Sequence, residues 1–231
     1  MIGLWYLAHL HVRPGLQGRG VGRRLLEAAL RYGPDARGRL LHSSLDPQAM
    51  RCYQRAGFAL EPALRATGVV HRSALPAAGR VHHGGTDALD LVADVDRTQR
   101  GAAHGPDFEV LLQAGAGLLI LEQGRERGYA LIEAGQPKTI AATNTPTAAA
   151  LLWAALAEGD GAVSVQVLRA DQQWAIDVVH QAGLGWSRAD PCAAREMPAR
   201  SCPTCRTWTS CESPPGSAST RCPTTRIEWH G

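Results

Sequence analysis

The sequence contains no apolar run approaching the length of a membrane span. Its opening, MIGLWYLAHLHVRPG, lacks the basic segment, apolar core and small-residue cleavage site of a secretory leader. No membrane partner is expected, and a soluble cytoplasmic chain is. A continuous basic stripe is missing too. The formal net charge is only +3 and the arginines alternate with Asp and Glu, so no nucleic-acid partner is expected. Cysteine is nearly absent from residues 1–191, where Cys52 stands alone, which argues against a disulfide framework for the fold. Aliphatic residues become scarce from Arg200 onward, in RSCPTCRTWTSCESPPGSASTRCPTTRIEWHG. Such a segment buries too little apolar surface to offset the entropy of ordering it.

That tail holds Cys202, Cys205, Cys211 and Cys222, with Cys192 just before it. CPTC at 202–205 could be half of a tetrahedral thiolate zinc site, but no second close pair follows. No metal is expected. Cys, Trp, Arg, Pro and Ser together are also what a G+C-rich coding strand yields out of frame. Residues 191–231 are therefore expected to be a disordered or frameshifted tail.

The rest has ample material for a core. A chain of 231 residues with 45% apolar content can form one large domain or two small ones. Residues 4–12, LWYLAHLHV, read as a strand ended by Arg13-Pro14. A helix then opens near Gly18 to Gly20, with apolar positions Val21, Leu25, Ala28, Ala29 and Tyr32 at helical spacing. GPDARGR is a turn and LLHSSL a second strand. A second helix runs over residues 47–56 and stops at Gly57, and FALEPALRATGVVHR is strand-like. This order, with a right-handed crossover, puts the first two strands side by side and parallel, in an α/β fold with a mixed sheet.

The glycine turn then lies at a helix N-terminus beyond a strand's carboxyl end. Unpaired backbone N–H groups converge there, the helix dipole adds positive charge, and small residues let a diphosphate reach the backbone. GRGVGRRL lacks the third glycine of a dinucleotide fingerprint at the required spacing, and Asp46 sits too far along to serve as its ribose acid. No Gly-Lys-Ser/Thr follows, so a Walker loop is excluded.

VRPGLQGRGVGRRLL, residues 12–26, resembles the acetyl-CoA pyrophosphate loop of the GNAT N-acetyltransferase superfamily, in which Gln or Arg, two residues, Gly, one residue and Gly or Ala follow a strand. About thirty residues on, DPQAMRCYQRAGF resembles the family's second CoA-side motif, through Asp46 at an Asn-like position, Ala49, Tyr53 and Gly57-Phe58. The resemblance covers roughly residues 5–70 and implies an acetyl-CoA-dependent acetyltransferase acting on an amine of unknown identity. Its implied donor-binding residues are Leu10, Val12, Gln17, Gly18, Arg19, Gly20, Val21, Gly22 and Asp46. Strand N–H groups near Leu10 or Val12 would polarise the thioester carbonyl. Tyr53 would protonate the departing CoA thiolate, although taken alone it reads as an ordinary buried tyrosine on a helix. His9 and His11 share one strand face, and either could take the amine's proton directly or through water. Cys52 has no evident activating partner and needs no catalytic role.

The first unit has an echo. DPQAMRCYQRAGF is answered by DQQWAIDVVHQAGL at Asp171, and GRRLLEAAL by AALLWAALAE at Ala149, with VSVQVL between as a strand. This resembles a second, degenerate GNAT-like unit in tandem. Its phosphate turn has become TNTPTAAALL and its tyrosine position holds Val178 or Val179, so packing and shaping the acceptor side is its expected task. Arg97, Arg100, His104 and Asp107 form a polar cluster that could contact the acceptor or simply be solvated. The expected division is 1–72 for the CoA-binding half, 73–89 for a linker, 90–190 for the degenerate unit and 191–231 for the tail. The three strands and two helices that usually precede the first strand in the family are not here, which suggests an N-terminal truncation. It would leave that strand an exposed edge and invite a homodimer. A non-catalytic CoA-binding or scaffolding protein of the same fold is the alternative function.

Overall fold

The computed structural model describes residues 4–34, 36, 38–77, 79–196 and 227–228. The first unit comprises β1 (Leu4–Leu7), α1 (Val21–Ala29) continued by a 3-10 turn to Tyr32, β2 (Gly38–His42), α2 (Pro47–Arg55), β3 (Ala59–Glu61) and β4 (Leu64–Val69). The remainder comprises β5 (His82–Gly84), α3 (Leu89–Arg100), α4 (Asp107–Gln113), β6 (Gly117–Gln123), β7 (Glu126–Glu133) and β8 (Gln136–Ala142). These are followed by α5 (Thr145–Glu158), β9 (Ala162–Leu168), α6 (Gln173–Gln181), β10 (Gly185–Arg188), β11 (Cys192–Glu196) and β12 (Ile227–Glu228). The run β1-α1-β2-α2-β3-β4 is thus repeated as β8-α5-β9-α6-β10-β11. The expected linker carries β5, which pairs with β6 and so belongs to the second unit's sheet.

β1 and β2 are parallel, with Leu4 opposite Gly38 and Leu7 opposite Leu41. The strand expected over residues 4–12 ends at Leu7, opposite Leu41, where the chain leaves β2, while on the other edge of β2 the ladder with β11 runs one rung further, the Ser43 N–H donating to the Pro191 carbonyl (3.0 Å). Alternation places Trp5, Leu7 and Leu41 toward the helices, where Leu26 of α1, Tyr53 of α2 and Phe58 close a small core. The helix has a different inner face from the one expected. Leu26 is buried and Leu30 packs beside it, whereas Leu25 and Tyr32 are exposed, because α1 turns the face through Leu26 and Leu30 to the sheet.

In the second unit the antiparallel β5–β8 sheet is covered on both faces. Leu119, Leu121, Ala130, Ile132, Ile140 and Ala142 pack against Leu151, Leu152, Ala155 and Leu156 of α5. The alternate positions Leu118, Ile120, Tyr129, Leu131 and Ala141 pack against Val92 and Val95 of α3 and Phe108 of α4. Period-two alternation with apolar residues on both sides is what a sheet sandwiched between helices requires.

The two units exchange their last strands. One sheet has the order β1-β2-β11-β3 and another β10-β4-β9. β11, from the end of the second unit, lies antiparallel between β2 and β3 of the first. β4, from the end of the first, lies antiparallel between β9 and β10 of the second. The crossing segments touch where the Ala189 N–H donates to the Ala63 carbonyl (3.1 Å), and an ion pair from Arg169 to Glu61 (3.1 Å) spans the same seam. Cys192–Glu196 is therefore strand rather than disordered tail. The proposed CPTC half-site and the rest of that tail apart from β12 lie outside the described residues. Among the described residues β1 is an edge strand.

Candidate functional site

The turn between β1 and α1 is built by backbone rather than by side chains. Leu16 N–H donates to Arg13 O (3.1 Å), and Gln17 Nε2 donates to Val12 O (3.0 Å), tying the turn back to the segment leaving β1. Gly18 and Gly20 have φ of 73° and 74°, the left-handed region that a side chain disfavours, and no atom lies within 4 Å of where a Cβ would stand on either. Gly20 is the N-cap of α1 and brings no capping side chain. Its carbonyl accepts from Arg24 N–H (3.2 Å), so the N–H groups of Val21, Gly22 and Arg23 have no intrahelical partner. Arg19 is exposed beside them, while Arg23 pairs with Glu27 (3.1 Å). An anion suits this arrangement of bare donors, dipole and basic rim.

The matching helix in the second unit is sealed. Asn144 caps α5 by accepting from Thr147 N–H (2.9 Å), so the donors that α1 leaves open are partly satisfied there by the chain itself. This agrees with the loss of glycine from TNTPTAAALL.

The remaining candidate residues are partly gathered. Leu10 packs on the same cluster as Leu26, Leu41 and Tyr53, which brings the segment after β1, α1 and α2 together. Val12 abuts the first turn of α1, its Cγ2 3.5 Å from where a Cβ on Gly22 would stand. Tyr53 is buried at 7% exposure with its ring edge-to-face on Phe58, centroids 6.3 Å apart. Burial, with a smaller contribution from Cys52, raises its phenol above the ordinary 10.0, so it stays protonated at neutral pH. Asp46 is already engaged, since it is the N-cap of α2 and accepts from Gln48 N–H (2.9 Å). Its Asn-like position in the motif thus has a local structural explanation. His9 and His11 lie beyond the end of β1 rather than on a strand face, and they are exposed and stack on each other, centroids 5.7 Å apart.

Residues 3–58 match the family model described as Acetyltransferase (GNAT) family. That segment belongs to the GNAT superfamily. The chain's mixed α/β fold is also that of GNAT acetyltransferases. It resembles the structure of a candidate acetyltransferase from Pyrococcus horikoshii with a TM-score of 0.66 at 16% identity, over 85% of this chain and 66% of that one. A GCN5-related N-acetyltransferase from Kribbella flavida gives 0.56 at 18% identity, over 84% and 52%. Eis1 from Mycobacterium abscessus gives 0.53 at 15%, over 83% and 56%. The chain thus spans between half and two thirds of the length of these structures. No curated protein matches it. The GNAT fold in general binds acetyl-CoA, and the glycine turn is where the matched segment offers open donors.

Two features escaped the sequence reading. Arg39 of β2 is buried and its Nη2 donates to the carbonyls of Leu30 (3.1 Å) and Gly33 (3.0 Å), holding the end of α1 to the sheet. An arginine in an apolar strand was the available signal. The polar cluster of α3 centres on Asp96, fully buried, which accepts from Tyr129 OH (2.7 Å) and lies 2.6 Å from His104 Nδ1. Arg100 reaches the other ring nitrogen of His104 (3.0 Å), and Arg97 pairs with Asp94 (2.7 Å). The cluster, read from the sequence as either contacting the acceptor or solvated, thus contributes His104 and Arg100 to a structural network joining α3, β7 and the segment before α4.

Proposed function

We propose that this protein binds acetyl-CoA at the turn before α1 and transfers the acetyl group to an amine. The observation that carries this reading is the uncapped N-terminus of α1 behind two left-handed glycines, within a segment that matches the GNAT family. Val21, Gly22 and Arg23 N–H groups would hold the diphosphate, with Gly18 and Gly20 letting it approach, Arg19 at the rim and Gln17 bracing the turn. The backbone at Leu10 and Val12, which leaves the sheet after Leu7, would align the thioester and polarise its carbonyl. The donor supplies an activated acetyl group. Tyr53, kept protonated by burial, would give its hydroxyl proton to the sulfur as the C–S bond breaks and the C–N bond forms. The proton lost by the amine passes to His9, His11 or water, and Tyr53 is reprotonated from solvent.

One observation favours the non-catalytic alternative: Tyr53 lies within an apolar cluster rather than in a polar cleft. Under this reading the second unit is a degenerate copy that supports the first. A second copy of the chain could add to the free edge of β1, and a light-scattering mass equal to one chain would rule that out.

Titration of the protein with acetyl-CoA tests the site, beside Gly20→Glu, whose carboxylate repels the diphosphate. Binding is expected in the wild type and absent in the variant. Tyr53→Phe should keep the affinity and lose turnover with an amine panel. Equal turnover in that variant would remove Tyr53 from the chemistry, and absent turnover in the wild type would leave the binding protein as the reading.

A further inference from the structure

The strand exchange encloses a cavity of about 170 Å³ at the seam, walled from both units. His42 contributes from the end of β2, Arg65 from β4, Lys138 from β8, Ser164 and Gln166 from β9, and Asp190 from the β10–β11 connection. The wall is distorted at β9, where the β4 register slips between Leu64 and Ala66 and Val167 takes a φ of 53°. That slip keeps Ala66 fully buried in the core, while Arg65, its neighbour in the strand, lines the cavity.

Arg65 decides what the cavity can hold. Its Nε is closed off from solvent and bonded to nothing, and its guanidinium forms no hydrogen bond or ion pair with the described residues. The second cation, Lys138, is already paired with Glu133 (3.0 Å). Gln136 is engaged too, since its amide bridges Ala162 O (3.1 Å) and Ser164 N–H (2.6 Å). Ser164 accepts from Thr67 through its hydroxyl oxygen (3.2 Å) and keeps its own O–H to donate. The wall therefore offers the uncompensated Arg65 cation with its planar donor fork, the Ser164 hydroxyl, the exposed Gln166 amide and the exposed carboxylate of Asp190, with the His42 ring beside them.

We propose that this seam cavity is a binding site for a small organic monocarboxylate. The Arg65 fork takes the carboxylate and Ser164 adds a hydrogen bond. Among the described residues Arg65 is the wall's cation without an ion pair, so it can take one carboxylate, whereas the exposed Asp190 carboxylate disfavours the second negative charge of a phosphate dianion. The site is separate from the glycine turn and does not depend on acetyl transfer.

The test is calorimetric titration of the full chain with propionate against chloride at matched ionic strength. Cooperative melting and circular dichroism of each variant confirm that it is folded. Propionate is expected to bind the wild type and raise its melting point. Arg65→Met should weaken binding by about tenfold or more, and Arg65→Lys, which keeps the charge without the fork, should weaken it less. Arg65→Met should also melt higher than the wild type without ligand, since it removes a buried unsatisfied donor. Equal propionate binding by folded Arg65→Met, or none by the folded wild type, would overturn the proposal. Inorganic phosphate binding more tightly than propionate would overturn the monocarboxylate assignment.

Discussion

Two glycines two residues apart should respond to the same substitution with opposite sign. Gly20 sits at φ 74° as the N-cap of α1, with no atom within 4 Å of a would-be methyl group. Gly20→Ala therefore removes no packing and adds only the left-handed penalty of about 1–2 kcal/mol. For a chain of this size that lowers the melting temperature by about 2–8 °C. Gly22 lies within the helix at ordinary φ, and its methyl would meet Val12 Cγ2 at 3.5 Å, a normal contact. Gly22→Ala should stabilise by up to about 1 kcal/mol, because alanine loses less backbone entropy on entering a helix. Acetyl-CoA titration separates the ligand effect from stability. Relaxing Gly20 re-aims the N–H groups of Val21, Gly22 and Arg23, so affinity falls. The Gly22 methyl is directed at Val12 and leaves those donors in place. Melting shifts of the same sign in both variants would refute the backbone argument. Unchanged acetyl-CoA affinity in a destabilised Gly20→Ala would refute the turn as the diphosphate site.

Other consequences are as direct. Because burial holds Tyr53 above 10.0, the native state binds more protons than the unfolded chain in the window between 10.0 and the raised value. The stability this group contributes is full below pH 10.0 and declines as pH rises through the raised value; denaturant titration should show this decline in wild type and a smaller one in Tyr53→Phe. Asp96→Ala leaves Tyr129 and His104 without their buried acceptor and should cost about 3–5 kcal/mol, read by urea unfolding. A loss below about 1 kcal/mol would place that network among ordinary surface interactions. Ala193→Pro removes a donor from β11 between Leu41 and Leu60, and amide exchange should then accelerate along residues 38–42 while β6–β8 stay protected. Unchanged protection of β2 would show that β11 does not hold the first unit's sheet.

The glycine turn was legible because its chemistry is local. Gly18, Gly20 and Gly22 before an amphipathic run specify a strand-to-helix turn whatever surrounds them, and the structure has one there. The extent of α2 was legible for the same reason, since the helix read over residues 47–56 is found over Pro47–Arg55, whereas the cap formed by Asp46 was seen only in the structure. Leu25 and Leu26 are equivalent in hydrophobicity, so which of them faces inward depended on how α1 lies against the sheet and not on composition. His104 could be seen as polar and close in sequence to Arg97 and Arg100. Its burial beside Asp96 and Tyr129 could not, because Tyr129 arrives from a strand about thirty residues away.

By itself the sequence determined a donor-rich glycine turn between a strand and a helix near its start, and a later run of helix, strand and helix whose corresponding turn lacks glycine. Only the tertiary structure decided that each unit's last strand completes the other's sheet. A strand's propensity is set by its own residues, but its ladder partner is whichever free edge the rest of the chain presents. The connectors after β3 and β10 carry β4 and β11 across the seam to the gaps that await them. For this reason Cys192–Glu196, within the span expected to be a tail, lies as a central strand of the first unit's sheet.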